Sequence, residues 1–164
     1  MVKDLISVAF LFLFLNSCQT NIIDDIDKNS FLNNDVYIDV VQKKIFKSLK
    51  TSGPYSDKVD VAIEKWTNNE IKTDGFEGNV TIQVLSIKTT QTYIEDTMNF
   101  KIFIDIEIKI YKSALSRIKT ISLKSTEYSY LTGEFSLDEK EIVIDNTIKK
   151  LIKNLSVKLS SKLS

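Results

Sequence analysis

The chain has 164 residues, with 22 basic and 22 acidic side chains, no histidine and one cysteine. Balanced charge argues against a nucleic-acid binder, which carries a basic excess. The missing histidine and lone cysteine exclude Ser-His-Asp and Cys-His catalysis, an intrachain disulfide, and the usual zinc, copper, haem and iron–sulfur ligand sets, so no metal and no cofactor is expected.

Leu5 to Leu15 is an apolar run preceded by Lys3. It is too short for a membrane span, which needs ~20 apolar residues, and it suits the h-region of a secretory signal. Leu15-Asn16-Ser17-Cys18 then resembles the bacterial lipobox, in which the cysteine is acylated and becomes the first mature residue. The expectation is a signal peptide over residues 1–17 with Cys18 as the lipidation site, so that the first partner is a membrane, reached through the anchor. The competing reading is an uncleaved anchor or an ordinary buried cysteine. One acyl chain holds a protein only marginally, whereas two or more hold it stably. The resemblance implies a diacylglyceryl group and an amide-linked acyl chain.

Residues 18–34 are rich in Asn and Asp without an apolar period, and read as a tether. Ile22, Ile23 and Ile26 allow a short docking helix instead. Residues 35–164 then form one α/β domain. Val36, Ile38 and Val40 alternate with polar positions, which predicts a strand from Val36 to Leu49; a helix competes over Asp39 to Lys50. Gly53-Pro54 breaks the chain. Ser56 or Asp57 is placed to cap a helix running to about Lys72, with Val59, Ala62, Ile63 and Trp66 as its buried stripe. Gly75 suits a left-handed helix terminus.

Three strands follow. Asn79 to Thr89 buries Val80, Ile82 and Val84, then changes phase at Leu85 and Ile87, as a bulge would produce. From Met98 to Ile110 every second residue is apolar, which predicts a sheet covered on one face and wet on the other. Arg117 to Leu131 turns Ile121 and Leu123 inward, while Tyr128 and Tyr130 fall in the opposite phase, which predicts a register change. Ser136-Leu-Asp-Glu139 has capping-box spacing. A closing helix runs from about Leu137 towards Leu163 with Ile144, Ile148, Leu151, Leu155 and Leu159 on one stripe. The predicted class is α+β: a two-layer sandwich of an antiparallel sheet with helices on one face, in the order β-α-β-β-β-α.

Few side chains are placed for chemistry. Asp105 and Glu107 share the wet face of one strand, as paired carboxylates do in glycosidases. Flanked by Lys101 and Lys109, they read more simply as charges decorating an exposed sheet. Lys149, Lys150, Lys153, Lys158 and Lys162 crowd the last helix, where cations complement the dipole or meet anionic lipid or an acidic partner. Phe103 and Tyr111 interrupt the polar face of the central strand and are the aromatic candidates for a partner surface, with Lys149, Lys150 and Lys153 as the basic ones. Trp66 reads as core.

Ala62-Ile-Glu-Lys-Trp66, Asn69-Glu-Ile71, Gly75-Phe-Glu-Gly78 and Val80-Thr-Ile82 resemble the tryptophan-bearing helix, paired glycines and next strand of a small uncharacterised family of proteobacterial lipoproteins, over about residues 57–160. The resemblance implies packing for Trp66 and turn geometry for Gly75 and Gly78. The β-α-β-β-β-α order is also loosely similar to the lipopolysaccharide-assembly lipoprotein and to auxiliary lipoproteins of ABC-type transport systems. Gln19 after Cys18, where Asp signals inner-membrane retention, leans by that analogy to the outer membrane facing the periplasm; the inner membrane and the cell surface stay open. The expected function is a non-catalytic, lipid-anchored binding or assembly accessory with an envelope protein or lipid partner and no nucleic acid. The alternatives are an enzyme acting on envelope glycans and a cell-surface lipoprotein.

Overall fold

The computed structural model describes residues 35–113 and 116–164. The lipobox, Cys18 and the predicted tether lie outside the described residues. In chain order the elements are β1 (Val36–Ile38), β2 (Gln42–Phe46), β3 (Thr51–Ser52), α1 (Ser56–Asn69), β4 (Ile71–Thr73), β5 (Asn79–Ile94), β6 (Thr97–Tyr111), β7 (Lys119–Thr132) and α2 (Leu137–Leu163). The class is α+β, with both helices packing on the sheet.

The main sheet has the order β2-β5-β6-β7, with β3 also pairing β5. Its three long strands are antiparallel, and β5 and β6 are joined by a two-residue turn at Glu95-Asp96. Met98, Phe100, Ile102, Ile104, Ile106 and Ile108 on β6 are each 0% exposed, so the alternating face is the floor of the core. Burying an isoleucine contributes roughly 1.5–3 kcal/mol, and this strand alone supplies a row of them. The phase change at Leu85 is a bulge: the β5–β6 register shifts between Val84 and Ser86, which returns Ile87 to the core face.

Four expectations change. The sheet is mixed, because β2 and β3 run parallel to β5. Parallel strands need a crossover of a dozen or more residues, and α1 supplies it. The predicted strand Val36–Leu49 is divided: the chain bends at Asp39–Val41, so that β1 pairs with β4 beside the main sheet and β2 joins the edge of β5. The first helix stops at Asn69, and Ile71 enters the core from β4 rather than from a further helical turn. Gly75 therefore caps no helix. It lies where a Cβ would sit 2.4 Å from the Val40 nitrogen, so it is needed for close backbone approach. Finally, β7 keeps one register with β6 from Lys119 to Thr132.

That unbroken register explains Tyr128 and Tyr130. They are outward-facing and exposed, while Ser125 and Glu127 continue the inward series begun by Ile121 and Leu123 and are buried. The inward face of β7 turns polar; the strand does not slip.

Between the helices, Trp66 is 1% exposed, and its indole donates to Ser156 Oγ at 2.8 Å. Ser156 in turn donates to Glu70 Oε2 at 3.1 Å. On the outer flank Lys58 bridges Glu141 at 2.8 Å and Asp145 at 2.7 Å. The predicted capping box is present, with the Ser136 side chain accepting from the Glu139 amide and the Glu139 carboxylate accepting from the Ser136 amide. Those hydrogen bonds hold Glu139 below the usual carboxylate range. A depressed carboxylate stabilises the fold fully above its ordinary range and less as pH falls through its folded pKa. Ser136→Ala removes the side-chain acceptor for the Glu139 amide and is expected to cost about 1 kcal/mol, at any pH. Urea titrations of Glu139→Gln at pH 7 and in acid should show the variant less stable at pH 7 and converging with wild type as the wild-type carboxylate protonates.

Candidate functional site

Three arrangements stand out: the capped end of α1, the outer sheet face, and the junction of β7 with α2. α1 has no basic residue in its last turn. Lys43, from the neighbouring β2, supplies the cation instead, donating to the carbonyls of Thr67, Asn68 and Ile71 at 2.7, 3.1 and 2.6 Å. A cation here offsets the negative end of the helix dipole. Burial first, and the nearby positive charge of Lys72 second, lower the Lys43 pKa.

The outer face of the sheet is polar with scattered aromatics. Phe103 sits opposite Lys88 on β5 and Thr126 on β7, and Tyr111 sits opposite Asn79. Both rings are half-buried. Eight positions separate them, or about 27 Å along an extended strand, so the two do not form one patch. Asp105 and Glu107 are each held by a lysine: Lys124 lies 3.2 Å from Asp105 Oδ2, and Lys109 lies 2.7 Å from Glu107 Oε1. Asp105 Oδ1 is buried without a hydrogen-bond partner among the described residues. Among those residues no group of three His, Cys, Asp or Glu is placed to hold a metal ion, and no helix is long and apolar enough to cross a membrane.

The third arrangement is built from the inward polar series of β7. Serines at 125 and 129 leave room for α2 to sit close, and Thr147 donates to Ser129 Oγ at 2.8 Å. Asn154 donates to Glu127, and Lys150 lies 3.4 Å from the same carboxylate. A buried carboxylate is costly unless it is paired and hydrogen-bonded, and α2 provides both. Lower on the strand, Lys158 donates to the Lys124 carbonyl at 3.0 Å and to Ser125 Oγ at 3.1 Å, and Lys162 donates to the Ser122 carbonyl at 3.0 Å.

The predicted lysine group thus divides. Lys150, Lys158 and Lys162 turn towards β7, whereas Lys149 and Lys153 are exposed on the solvent side of α2. Sequence reasoning missed Lys43 and Glu127. The alternation of β7 carried the signal for Glu127: extended past Leu123, it reaches Ser125, Glu127 and Ser129, a polar run that needs polar partners on the covering helix. Lys43 has no such local signal, because its carbonyl acceptors lie on a segment more than twenty residues away.

No protein-family model matches the chain, and no curated protein matches it. Among solved structures, the minor lipoprotein of Acinetobacter baumannii is similar with a TM-score of 0.48 at 11% identity, over 75% of this chain and 94% of its own. Rare lipoprotein B of Shewanella oneidensis gives 0.45 at 10% identity, over 74% and 96%. Lipoprotein GNA1162 of Neisseria meningitidis gives 0.31 at 6% identity, over 69% and 99%. These neighbours are lipoproteins, and the likeness to the lipopolysaccharide-assembly lipoprotein is not confirmed by them. Similarities of this degree fix no family for the chain.

Proposed function

We propose that this chain is a lipid-anchored envelope lipoprotein whose domain acts by contact with a partner and catalyses no reaction. The observation that carries this is the Leu15-Asn16-Ser17-Cys18 motif directly behind the apolar run, with the one cysteine of the chain at the acylation position. The pairing of Asp105 and Glu107 with lysines supports the non-catalytic part, since neither carboxylate is set up with the other as an acid–base couple. Gln19 supports the outer membrane, facing the periplasm, as the place of work. The partner is an envelope protein or lipid. Metabolic labelling with a clickable palmitate analogue tests the anchor: wild type takes up label and Cys18→Ser does not. Unlabelled wild type, or equal label on the variant, overturns the proposal.

A further inference from the structure

The sequence holds two Asn-x-Ser/Thr triplets whose middle residue is not proline, Asn79-Val80-Thr81 and Asn154-Leu155-Ser156. In an exported protein such a triplet is an acceptor for N-linked sugar. The fold treats the two oppositely. Asn154 donates to Glu127, and Ser156 is 2% exposed where it accepts from the Trp66 indole. A sugar on Asn154 would have to displace α2 from β7 and α1. Asn79 opens β5 directly after the Gly78 turn and is exposed. Val80 is buried, so Asn79 and Thr81 share the opposite side of the strand, the outer face of the sheet. There they line an open groove with Lys44 and Phe46 of β2. Both helices pack on the other face.

We infer that Asn79 is the attachment site of an N-linked glycan, transferred from a polyprenyl-diphosphate sugar donor as the chain is exported. In that step Asn79 Nδ2 bonds to the anomeric carbon of the donor sugar. The bond from that carbon to the diphosphate oxygen breaks, and the diphosphate leaves with the electron pair. One carboxamide proton passes to a base on the transferring enzyme, and nothing is oxidised or reduced. The Thr81 hydroxyl must approach the carboxamide, yet side chains two apart on an extended strand stand about 7 Å from each other. The triplet therefore reacts while it can still bend. In the finished sheet Asn79 is paired on both sides, with Gln42 and with Tyr111. Tyr111 lies a whole hairpin downstream, so an emerging chain presents the triplet before β6 exists to hold it. Once folded, only the exposed side chain needs room, and the outer face provides it. Charge separates the two triplets as well. Two residues ahead of Asn79 stands the exposed Glu77, a fixed carboxylate that a transferase can read by a charge-assisted contact, whereas Ile152 holds that place before Asn154. The inference rests on the envelope setting proposed above, and not on acylation; residue 79 and Cys18 are read separately, so either can fail alone.

The test is mass spectrometry of tryptic peptides from the full-length protein, isolated from the envelope membranes of its own cells. Cleavage after lysine releases Asn79 in the peptide 73–88 and Asn154 in the peptide 154–158. The first is expected to carry the added mass of an oligosaccharide, placed on Asn79 by fragmentation, and the second to be unmodified. Asn79→Gln and Thr81→Ala should each abolish the added mass. Thr81→Ser keeps the hydroxyl and should retain it. Glu77→Gln should lower occupancy about tenfold, the loss of one charge-assisted contact. Thermal melts of Asn79→Gln should match those of the enzymatically deglycosylated protein, since the side chain is exposed. An unmodified peptide 73–88 in the wild type overturns the inference, whether or not Cys18 is acylated. So does added mass that survives in Thr81→Ala or in Asn79→Gln, or sugar found on Asn154. Full occupancy in Glu77→Gln overturns the part assigned to that carboxylate.

Discussion

Trp66→Ala is expected to lower the free energy of unfolding by about 3–5 kcal/mol, the range for deleting a large buried aromatic. The side chain is 1% exposed, and it lies between the two helices, so the void opens where α1 and α2 are tied together. Domains of this size have only about 5–15 kcal/mol to lose, so the variant should sit near the edge of folding at 37 °C. Trp66→Phe separates packing from polarity. It retains most of the apolar volume and removes only the 2.8 Å bond to Ser156, whose hydroxyl keeps the Glu70 carboxylate and the Ile152 carbonyl. The expected cost is about 1–2 kcal/mol, including any cavity left by the smaller ring. Urea unfolding followed by tryptophan-independent circular dichroism measures both. A Trp66→Ala variant as stable as wild type would place the indole at the surface and contradict the helix-pair packing.

Gly78→Ala is the second large effect, and its cause is backbone rather than core. Gly78 has φ +79°, a left-handed conformation that costs an L-residue roughly 1–2 kcal/mol. An added Cβ would also sit 2.1 Å from the Tyr111 carbonyl oxygen and 2.7 Å from that of Lys112. Neither acceptor is the end of a flexible side chain, so the start of β5 and the end of β6 must move apart, at a further ~1–3 kcal/mol. Gly133→Ala is the matched control: it has φ +87° and nothing within 4 Å of its added Cβ. It should lose only the conformational part. Thermal melts of the pair are expected to differ by several degrees, with Gly78→Ala the lower. Equal melts would mean that the close approach of the two strands contributes nothing.

The legible parts of the fold were those written in local periodicity. The run Met98 to Ile110 fixes one strand and its buried face without reference to anything distant. The phase change at Leu85 is visible for the same reason, as is the Ser136–Glu139 box, whose two hydrogen bonds close within one helical turn. What escaped was long-range. Val36 to Leu49 has a strand pattern, but the pattern is the same for parallel and antiparallel pairing and does not mark the bend at Asp39–Val41. Gly75 looks like a helix terminus in sequence and proves to be a contact point with Val40. The two tyrosines of β7 were mistaken for a slip because an inward series is expected to stay apolar, and here it becomes Ser125, Glu127 and Ser129 beneath a helix that supplies Thr147, Asn154 and Lys150.

The same division holds for the candidate site. Trp66 as core, and the two carboxylates Asp105 and Glu107 as members of a charged exposed face, followed from position alone. Phe103 and Tyr111 were rightly placed on the outer face but do not meet. The lysines of α2 were read as a dipole effect or as a contact with anionic lipid or an acidic partner. Three of them turn to β7, two covering edge carbonyls and one pairing with a buried carboxylate, a placement that no spacing within the helix could reveal.

The central claim is that acyl chains on Cys18 hold this domain at a membrane, where it works by touch. Mass spectrometry of the N-terminal peptide of the protein isolated from envelope membranes tests it most directly. The account predicts a peptide that begins at Cys18 and carries a diacylglyceryl group with an amide-linked acyl chain. A peptide that still contains residues 1–17, or one whose Cys18 bears a free thiol, would contradict it.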